Sequence, residues 1–425
     1  MNFFSRYKKI FFLLGFLSAS ILIGFLLWKT FFTGEFGPQA SQDNQTNFGG
    51  NLPGAGDGSG QIIDGTTGGQ IPGNENITDQ NKPGSNDQLI PGRENASISQ
   101  IANGGITSAK NVSNAPIISP SLSSNAIQYY NEFDGKFYRL DSSGNIKEIS
   151  DKSFPNVNNV IWSPDNKKAV LEYPDGTKSI YNFDTKNQVL LPAHWKEFSF
   201  SPDSTKISTK SLGQDPDSRY LITANDDGSK ARAIEYIGLN DQDVQVSWSP
   251  NNQVAATYVK GVDFDRKEVF FVGFNGENMK SMIVQGRGFE SQWSTNGDKM
   301  LYSVYNTNNG LKPKLWIAET ENGNIGSITK GISLETWASK CTFATNNDVY
   351  CAVPKSLPEG AGLYPEVADQ TADNLYKINL KTGAKNLIAT PQGDFTISQV
   401  IVTANQDKLY FTDKQTGQLY QVRLK

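Results

Sequence analysis

The stretch IWSPDNKKAVLEY (161–173) decides the fold, because its pattern returns repeatedly towards the C-terminus. In each copy an apolar β run ends in a large side chain, Ser-Pro-Asp or a relative follows, and a second β run begins. Pro and Asp favour a tight reversal between the two strands. The clearest further copies are FSFSPDSTKIS (198–208), VSWSPNNQVAATY (246–258) and SQWSTNGDKMLYSVY (291–305). The pattern therefore predicts a series of similar β-hairpins.

Three weaker copies raise the number of units to seven: IISPSLSSNAIQYY (117–130), CTFATNNDVYCAV (341–353) and IVTANQDKLYFT (401–412). The large residue that we place before the turn, the blade anchor, is Ile118, Trp162, Phe200, Trp248, Trp293, Phe343 and Val402. A period of about 40–50 residues with several short strands in each unit is typical of a β-propeller. Because the anchors share one position, we interpret them as core residues between blades and not as stacking platforms for sugars or bases.

Each unit continues with an aromatic-rich third strand and a fourth strand. The third strands are predicted at 136–141, 178–184, 219–224, 268–274, 314–319, 374–380 and 418–424. The fourth strands are predicted at 146–150, 188–192, 231–237, 279–284, 324–329 and 384–390. Seven third strands but six fourth strands imply that the last blade takes its outer strand from about 105–112 (GITSAKNV), which closes the ring and removes an exposed edge. We predict an all-β, seven-bladed β-propeller over 114–425.

The N-terminus predicts a membrane anchor. Residues 10–28 contain no charge over 19 positions, and such a helix is about 28 Å long, close to the ~30 Å hydrocarbon core of a bilayer. We predict a transmembrane signal anchor over 10–32, with a cleaved signal peptide as the alternative. Arg6, Lys8 and Lys9 precede the span, so residues 1–9 are expected in the cytoplasm and the rest outside, at the cell surface or in the periplasm.

Residues 33–113 are rich in Gly, Asn, Gln, Ser and Thr. Such a composition buries too little apolar area to offset the entropy of ordering, so we predict a disordered linker. As a flexible coil of ~80 residues it spans roughly 50 Å. The tract GAGDGSG (54–60) lacks the Lys-Ser/Thr ending of a phosphate-binding loop, and no cofactor is predicted.

The Trp/Phe-Ser-Pro-Asp-x-x-Lys repeats resemble the TolB-type propeller, a family of WD-like repeats in bacterial envelope proteins whose motif also precedes the catalytic domain of prolyl-oligopeptidase-type enzymes. The resemblance covers about 114–425 and is strongest from 162 to 293. It departs from TolB in having seven units in place of six, no preceding α/β domain, and a membrane anchor. No binding residue is carried over, and TolB's own partners are not implied.

Few residues carry recognisable chemistry. Gly-x-Ser-x-Gly, the nucleophile elbow of a peptidase, does not occur, and His194 is the single histidine. With 39 basic and 43 acidic residues there is no electrostatic case for a nucleic-acid partner. Two acidic stretches, 225–228 and 263–268, contain oxygen ligands that calcium prefers but lack EF-hand spacing, so no metal ligand is assigned.

Repeat six has two distinctive features. Cys341 and Cys351 flank its first turn, and a hairpin centred near residue 346 places them opposite each other, which predicts a cross-strand disulfide in an oxidising compartment. Two free core cysteines are the alternative.

An insertion, 354–373, projects from one end of the central channel, and long loops on rigid scaffolds often carry recognition. Its candidate partner-binding residues are Leu363, Tyr364, Glu366 and Asp369. A decorated loop without a ligand is the competing interpretation.

These patterns predict a non-enzymatic protein-interaction or scaffold module of the cell envelope, with an envelope protein as its partner. A metal-dependent hydrolase or lyase, similar to a lactonase and acting at the channel mouth, is one alternative. A propeller that binds carbohydrate or cell wall through exposed aromatic residues is the other.

Overall fold

The computed structural model describes residues 97–277, 279–321 and 323–425. The predicted anchor and the linker as far as residue 96 lie outside these ranges. Within them, no helix is both long enough and apolar enough to cross a membrane.

The described residues form 29 strands in seven sheets. Two short strands come first: β1 (Ile106–Thr107) and β2 (Lys110–Asn111). Blades one and two contain β3 (Ile117–Ser123), β4 (Ala126–Asn131), β5 (Lys136–Leu140), β6 (Ile146–Glu148), β7 (Asn159–Trp162), β8 (Lys168–Glu172), β9 (Lys178–Asn182) and β10 (Gln188–Leu191). Blades three and four contain β11 (Trp195–Phe200), β12 (Lys206–Leu212), β13 (Arg219–Asn225), β14 (Arg232–Tyr236), β15 (Val244–Val246), β16 (Val254–Gly261), β17 (Lys267–Gly273) and β18 (Met282–Val284).

The remaining blades follow the same plan. Blades five and six contain β19 (Arg287–Trp293), β20 (Lys299–Tyr305), β21 (Lys314–Glu319), β22 (Thr329–Ile332), β23 (Cys341–Phe343), β24 (Asp348–Pro354), β25 (Asp373–Asn379) and β26 (Lys385–Pro391). Blade seven contains β27 (Ile397–Val402), β28 (Lys408–Asp413) and β29 (Leu419–Arg423). The helices of the described ranges are single 3₁₀ turns or little more: η1 (Pro216–Ser218), η2 (Gly238–Asn240), η3 (Thr307–Asn309), η4 (Ala338–Lys340) and η5 (Pro365–Gln370).

Each blade is an antiparallel sheet whose strands follow one another from the inside to the outside of the ring. The outer strand of blade seven is β2, which pairs antiparallel with β29 through Lys110 opposite Gln421, within the stretch that the sequence assigns to this role. In addition, β1 pairs in parallel with β26 and makes blade six five-stranded. Residues 97–113 are therefore part of the structured unit, and the predicted linker boundary at 113 is too late because this segment hydrogen-bonds to two blades.

The hydrophobic core is divided among seven interfaces, one between each pair of neighbouring blades. The cluster that closes the ring packs Ile401 and Tyr410 of blade seven against Ile127 and Tyr129 of blade one. Burying such side chains stabilises the fold by about 25 cal/mol per Å² of apolar surface. The all-β, seven-bladed propeller predicted from the repeats is confirmed.

Six of the seven predicted blade anchors pack in these interfaces, and Trp248 belongs to none of the seven clusters. Trp162 stacks on Phe183 with ring centres 5.1 Å apart, and Trp248 lies 4.2 Å from the ring of Phe274. Ile118 is misassigned, because Ser119 and Pro120 lie inside β3 and the turn comes at 124–125, after Ser123. The residue equivalent to Trp162 is therefore Leu122, which packs in the interface between blades seven and one.

The fourth strand of blade five also differs from its prediction. It spans Thr329–Ile332 and not 324–329. Ile325 is buried within the turn before it, and Gly326 has φ +67°, a left-handed conformation that glycine adopts at little cost. The apolar residue that suggested a strand is thus a turn residue that fills the core.

Strand direction divides the connections between two faces of the ring. The turns between first and second strands, and between third and fourth, lie on one face, which we name the turn face. The connections between second and third strands, and from each fourth strand to the next blade, lie on the other. We name it the insertion face, because the long segment between β24 and β25 projects there.

Candidate functional site

The insertion, residues 355–372, lies across three blades. Towards blade five, the Gly360 N–H donates to the Gly310 carbonyl at 2.8 Å, and the Gly362 N–H donates to the Leu311 carbonyl at 2.7 Å. Beneath it lies a small apolar cluster formed by Trp337, Leu357, Ala361 and Ala368. The insertion is therefore a folded element with a core of its own.

Its far end is fixed to blade seven. Both carboxylate oxygens of Asp369 accept hydrogen bonds from the Lys414 ammonium at 2.8 Å. The Asp369 carbonyl accepts two more, from the Thr396 hydroxyl at 3.2 Å and from the Gln415 amide at 3.3 Å. Asp369, which the sequence groups with the partner-binding residues, holds the insertion in place.

A buried ion pair lies at the base of the insertion. The Lys340 ammonium donates to both carboxylate oxygens of Asp373, at 2.7 and 2.8 Å, and the Asp373 side chain is fully buried. The Ile397 N–H donates to the same carboxylate at 2.6 Å. Burial raises the pKa of Asp373 and lowers the pKa of Lys340, while their mutual attraction opposes both shifts. The Lys340–Asp373 pair and the Ile397 N–H therefore link the start of the inner strand of blade six to the start of the inner strand of blade seven at the channel mouth.

The insertion roofs a cavity of about 180 Å³ with a mixed polar and apolar lining. Glu290 and Ser339 line it from the channel side, with the Ser339 hydroxyl donating to the Glu290 carboxylate at 2.9 Å. Lys414 and Asp369 line it from the outside, already bound to each other. Glu290, by contrast, forms no ion pair among the described residues, and the Ser339 hydroxyl is its hydrogen-bond partner.

The other three predicted residues of the insertion face solvent. Leu363 is 41% exposed and Tyr364 is 67% exposed, and Glu366 is exposed on the first turn of η5. The structure thus separates the predicted set into a solvent-facing tip, Leu363, Tyr364 and Glu366, and the fixed end at Asp369.

Among the connections between strands, exposed large apolar side chains lie mostly on the insertion face, and the remaining exposed ones lie in residues 98–106 and on the outer strands. Those in the connections of the insertion face are Phe133, Leu239, Val262, Phe264, Leu363 and Tyr364. Within the described ranges, the turns of the opposite face carry one, Ile328, which is 58% exposed. Single exposed apolar residues are normal on protein surfaces, but a one-sided concentration marks an interaction site.

Four of these side chains and the half-buried Tyr305 belong to one continuous surface, which we name the apolar arc: Val262, Phe264, Tyr305, Leu363 and Tyr364. The Arg287 guanidinium connects its two halves, lying 4.2 Å from the ring centre of Phe264 and 5.3 Å from that of Tyr305. Gly362 lies directly against Tyr305, since a Cβ at that glycine would be 2.4 Å from the tyrosine Cγ. Sequence reasoning missed Phe264 and Arg287, because they are far from the insertion in the chain.

Cys341 and Cys351 lie directly opposite each other on β23 and β24 and are joined by a disulfide. Both are buried. The bond fixes the short inner strand of blade six immediately after Lys340, so it also supports the base of the insertion.

Carboxylates of the two acidic stretches considered for calcium bind other side chains of the propeller. Asp226 forms an ion pair with Lys168, Asp263 binds Arg266 at 2.6 Å, and Glu268 accepts from Ser281 at 2.6 Å. In the part of the chain that the structure describes, no group of three or more His, Cys, Asp or Glu is placed to hold a metal ion. His194 is exposed in the connection between blades two and three.

The chain resembles known proteins in its structure but not in its sequence. No family model matches the sequence, and no curated protein is significantly similar to it. Solved structures that resemble the chain include tricorn protease (11% identity, TM-score 0.45, 76% of this chain and 34% of that chain). They also include the β-propeller domain of Cps50 (Swd1) from Myceliophteria thermophila (9%, 0.49, 75% and 100%) and oligogalacturonate lyase from Vibrio parahaemolyticus (12%, 0.46, 75% and 93%).

These likenesses concern the fold alone, and the chain spans only a third of tricorn protease. The assignment of the fold rests on the order of the strands in the seven sheets. The chain is a seven-bladed β-propeller.

Proposed function

We propose that this chain is a membrane-anchored propeller of the cell envelope that binds a partner protein through the apolar arc and performs no catalysis. The uncharged stretch 10–28 supports the anchor, and the positive residues before it support export of the propeller. The Ser-Pro-Asp turns, which resemble those of TolB-type envelope propellers, support the same location.

The observation that carries the proposal is the one-sided exposure of apolar side chains on a rigid face. Aromatic residues with a nearby Arg are the residue types most enriched at the energetic centres of protein interfaces. Phe264, Arg287, Tyr305 and Tyr364 supply this combination, and the insertion that presents Tyr364 is fixed at both ends. A preorganised surface loses little entropy on binding, which favours affinity.

The metal-dependent alternative requires unpaired carboxylates that converge at the channel mouth. Of the carboxylates on the inner strands there, Glu197 binds the Lys210 ammonium at 2.5 Å and Glu290 accepts from Ser339 at 2.9 Å. Glu290 forms no ion pair, but no group of three or more His, Cys, Asp or Glu in the described ranges is placed to hold a metal ion, which favours the interaction hypothesis over a lactonase-like one. A stoichiometric metal ion in the purified chain would favour the enzyme instead.

The proposal is tested by photo-cross-linking in cells. Tyr364→p-benzoylphenylalanine and Phe264→p-benzoylphenylalanine place a cross-linker at each half of the apolar arc, and Ile328→p-benzoylphenylalanine places it at the matched exposed position on the turn face. We expect one shared protein adduct from Tyr364 and Phe264 that Ile328 does not form. Leu363→Ser should reduce this adduct from Phe264 as well, because both positions contribute to one interface.

Equal adducts from both faces, or none from either arc position, would contradict the proposal. Adducts that contain cell-wall glycan in place of protein would support the carbohydrate-binding alternative.

A further inference from the structure

A second groove opens on the insertion face between blades one and two, formed by residues outside the apolar arc. Its volume is about 680 Å³. Tyr130, Val157, Tyr173 and Pro174 contribute aromatic and apolar walls, and Glu132 and Asp175 contribute its charges. No Lys, Arg or His is among the described residues that line it.

The negative charge of this groove is not compensated. Within the described ranges, Glu132, Asp175 and the adjacent Asp134 form no ion pair, whereas several other carboxylates of the insertion face do. The paired ones include Asp241 with Arg219, Asp263 with Arg266, Asp369 with Lys414 and Asp394 with Lys355.

The ammonium group of Lys178, three residues after Asp175, binds backbone carbonyls inside the protein. It donates to the carbonyls of Gly176 at 2.9 Å and Ala193 at 3.3 Å. The pKa of Tyr130 is raised, first by burial and further by the charges of Glu132 and Asp134, which is consistent with a locally negative potential. The groove therefore combines apolar walls with an excess of negative charge.

We propose that this groove binds a basic, extended segment of a partner protein. A Lys or Arg side chain would lie against the half-buried Tyr173 ring between Glu132 and Asp175, where cation–π attraction and the two carboxylates act together. Aromatic-lined grooves also bind extended, Pro-rich peptide segments.

A single metal ion fits this groove less well, because Glu132, Asp134 and Asp175 do not belong to any cluster placed to hold one in the described ranges. Carboxylates that are spread along a groove suit a ligand whose positive charges are also spread out.

The test uses the full chain in uncharged detergent micelles, with a fluorescein-labelled (Lys-Pro)₄ peptide as the probe and (Glu-Pro)₄ as its counterpart. Fluorescence anisotropy should show saturable binding of (Lys-Pro)₄ in 50 mM NaCl, at least tenfold weaker binding in 300 mM NaCl because exposed charges are screened, and no binding of (Glu-Pro)₄.

Glu132→Gln with Asp175→Asn should weaken the binding of (Lys-Pro)₄ at least tenfold. Both residues are exposed, and Asn at 175 keeps the side-chain oxygen that accepts from the Thr177 N–H at 2.8 Å, so an unchanged near-UV circular dichroism spectrum is expected. Asp215→Asn with Asp394→Asn is the matched control. It removes the same net charge elsewhere on the insertion face and should leave the affinity within twofold.

Three results would overturn the inference: wild-type affinity in the Glu132/Asp175 variant, equal weakening in the control variant, or binding of Ca²⁺ alone that the Glu132/Asp175 variant abolishes while the peptide does not bind. Cross-linking from Tyr364 is independent of all three, so this inference and the proposed function can fail separately.

Discussion

The buried pair at the base of the insertion gives the sharpest test of the structure. Lys340→Met removes the ammonium group and keeps an unbranched apolar side chain of similar length. Asp373 then remains buried with its two hydrogen bonds from Lys340 broken and only the Ile397 N–H left. Removing one member of a buried ion pair costs about 3–5 kcal/mol, and we expect a loss of this size.

The double variant Lys340→Met with Asp373→Asn should recover part of this loss. It carries no buried charge, and the Asn side-chain oxygen can still accept from Ile397, so the cost falls to that of an imperfectly satisfied amide, about 1–3 kcal/mol. The double variant is therefore expected to be more stable than Lys340→Met alone. Lys355→Met is the matched control: its partner Asp394 is 96% exposed and lies 3.7 Å away, and such a pair contributes about 0–1 kcal/mol.

Urea unfolding followed by tryptophan fluorescence measures these differences. With a slope of roughly 3 kcal/mol/M for a domain of this size, Lys340→Met should lower the unfolding midpoint by about 1–1.7 M. A loss below that of the Lys355→Met control, or a double variant less stable than the single one, would refute the assignment of an ion pair.

The effect of Lys340→Met should also depend on pH. Burial already raises the pKa of Asp373, and Lys340 is the main group that opposes this rise. Without Lys340, the folded protein holds a proton on Asp373 more strongly than the unfolded chain does. Stability is then lost as pH rises through the folded-state pKa, so the variant should be closer to wild type at pH 5 than at pH 8. A cost that grows towards low pH would contradict this account.

Three further outcomes are expected. Cys341→Ser with Cys351→Ser should lower the free energy of unfolding by about 3 kcal/mol, because the disulfide joins residues 10 apart in sequence; urea unfolding measures the loss. Deleting residues 1–113 should cause aggregation in size-exclusion chromatography, since it exposes the outer edges of blades six and seven, whereas deleting 1–96 should not. Asp203→Asn should lower the thermal midpoint by about 1–3 °C at pH 7 and by less at pH 3. Hydrogen bonds from Ser201 and Thr205 hold the pKa of Asp203 below its ordinary value, so the stabilisation that Asp203 contributes is lost as the pH falls from that ordinary value through the folded-state pKa.

Much of the fold could be predicted because each repeat carries its signal locally. The Ser-Pro-Asp turns and the aromatic third strands are short-range patterns, and β13, β17 and β21 lie within a residue or two of their predicted bounds. The parallel strand β1 could not be predicted, because two residues pairing with β26 leave no periodic pattern. The register of β3 was missed because its Ser-Pro pair imitates the turn motif while lying inside a strand.

The candidate site was only partly predictable, since its members come together through tertiary contacts. Leu363 and Tyr364 stand out within a long insertion, but Asp369 cannot be distinguished from them without knowing that Lys414 lies opposite. Phe264 and Arg287 belong to different blades and meet only across their interface. The groove between blades one and two has the same origin, because Glu132 and Asp175 are on separate connections.

The repeat signature and the proposed binding surfaces lie on opposite faces of the ring, and this follows from what the turns do. On the turn face, polar groups of one repeat bind those of the next: the Asp165 N–H donates to the Ser204 hydroxyl at 3.1 Å, and the Asn346 amide donates to Asp298 at 3.0 Å. These contacts set blade against blade, so the residues that make them are constrained to repeat. The insertion face has no such requirement, and its connections differ in length, charge and exposed apolar area from blade to blade. A non-repeating partner can be recognised only by a non-repeating surface, which favours the insertion face as the place of function.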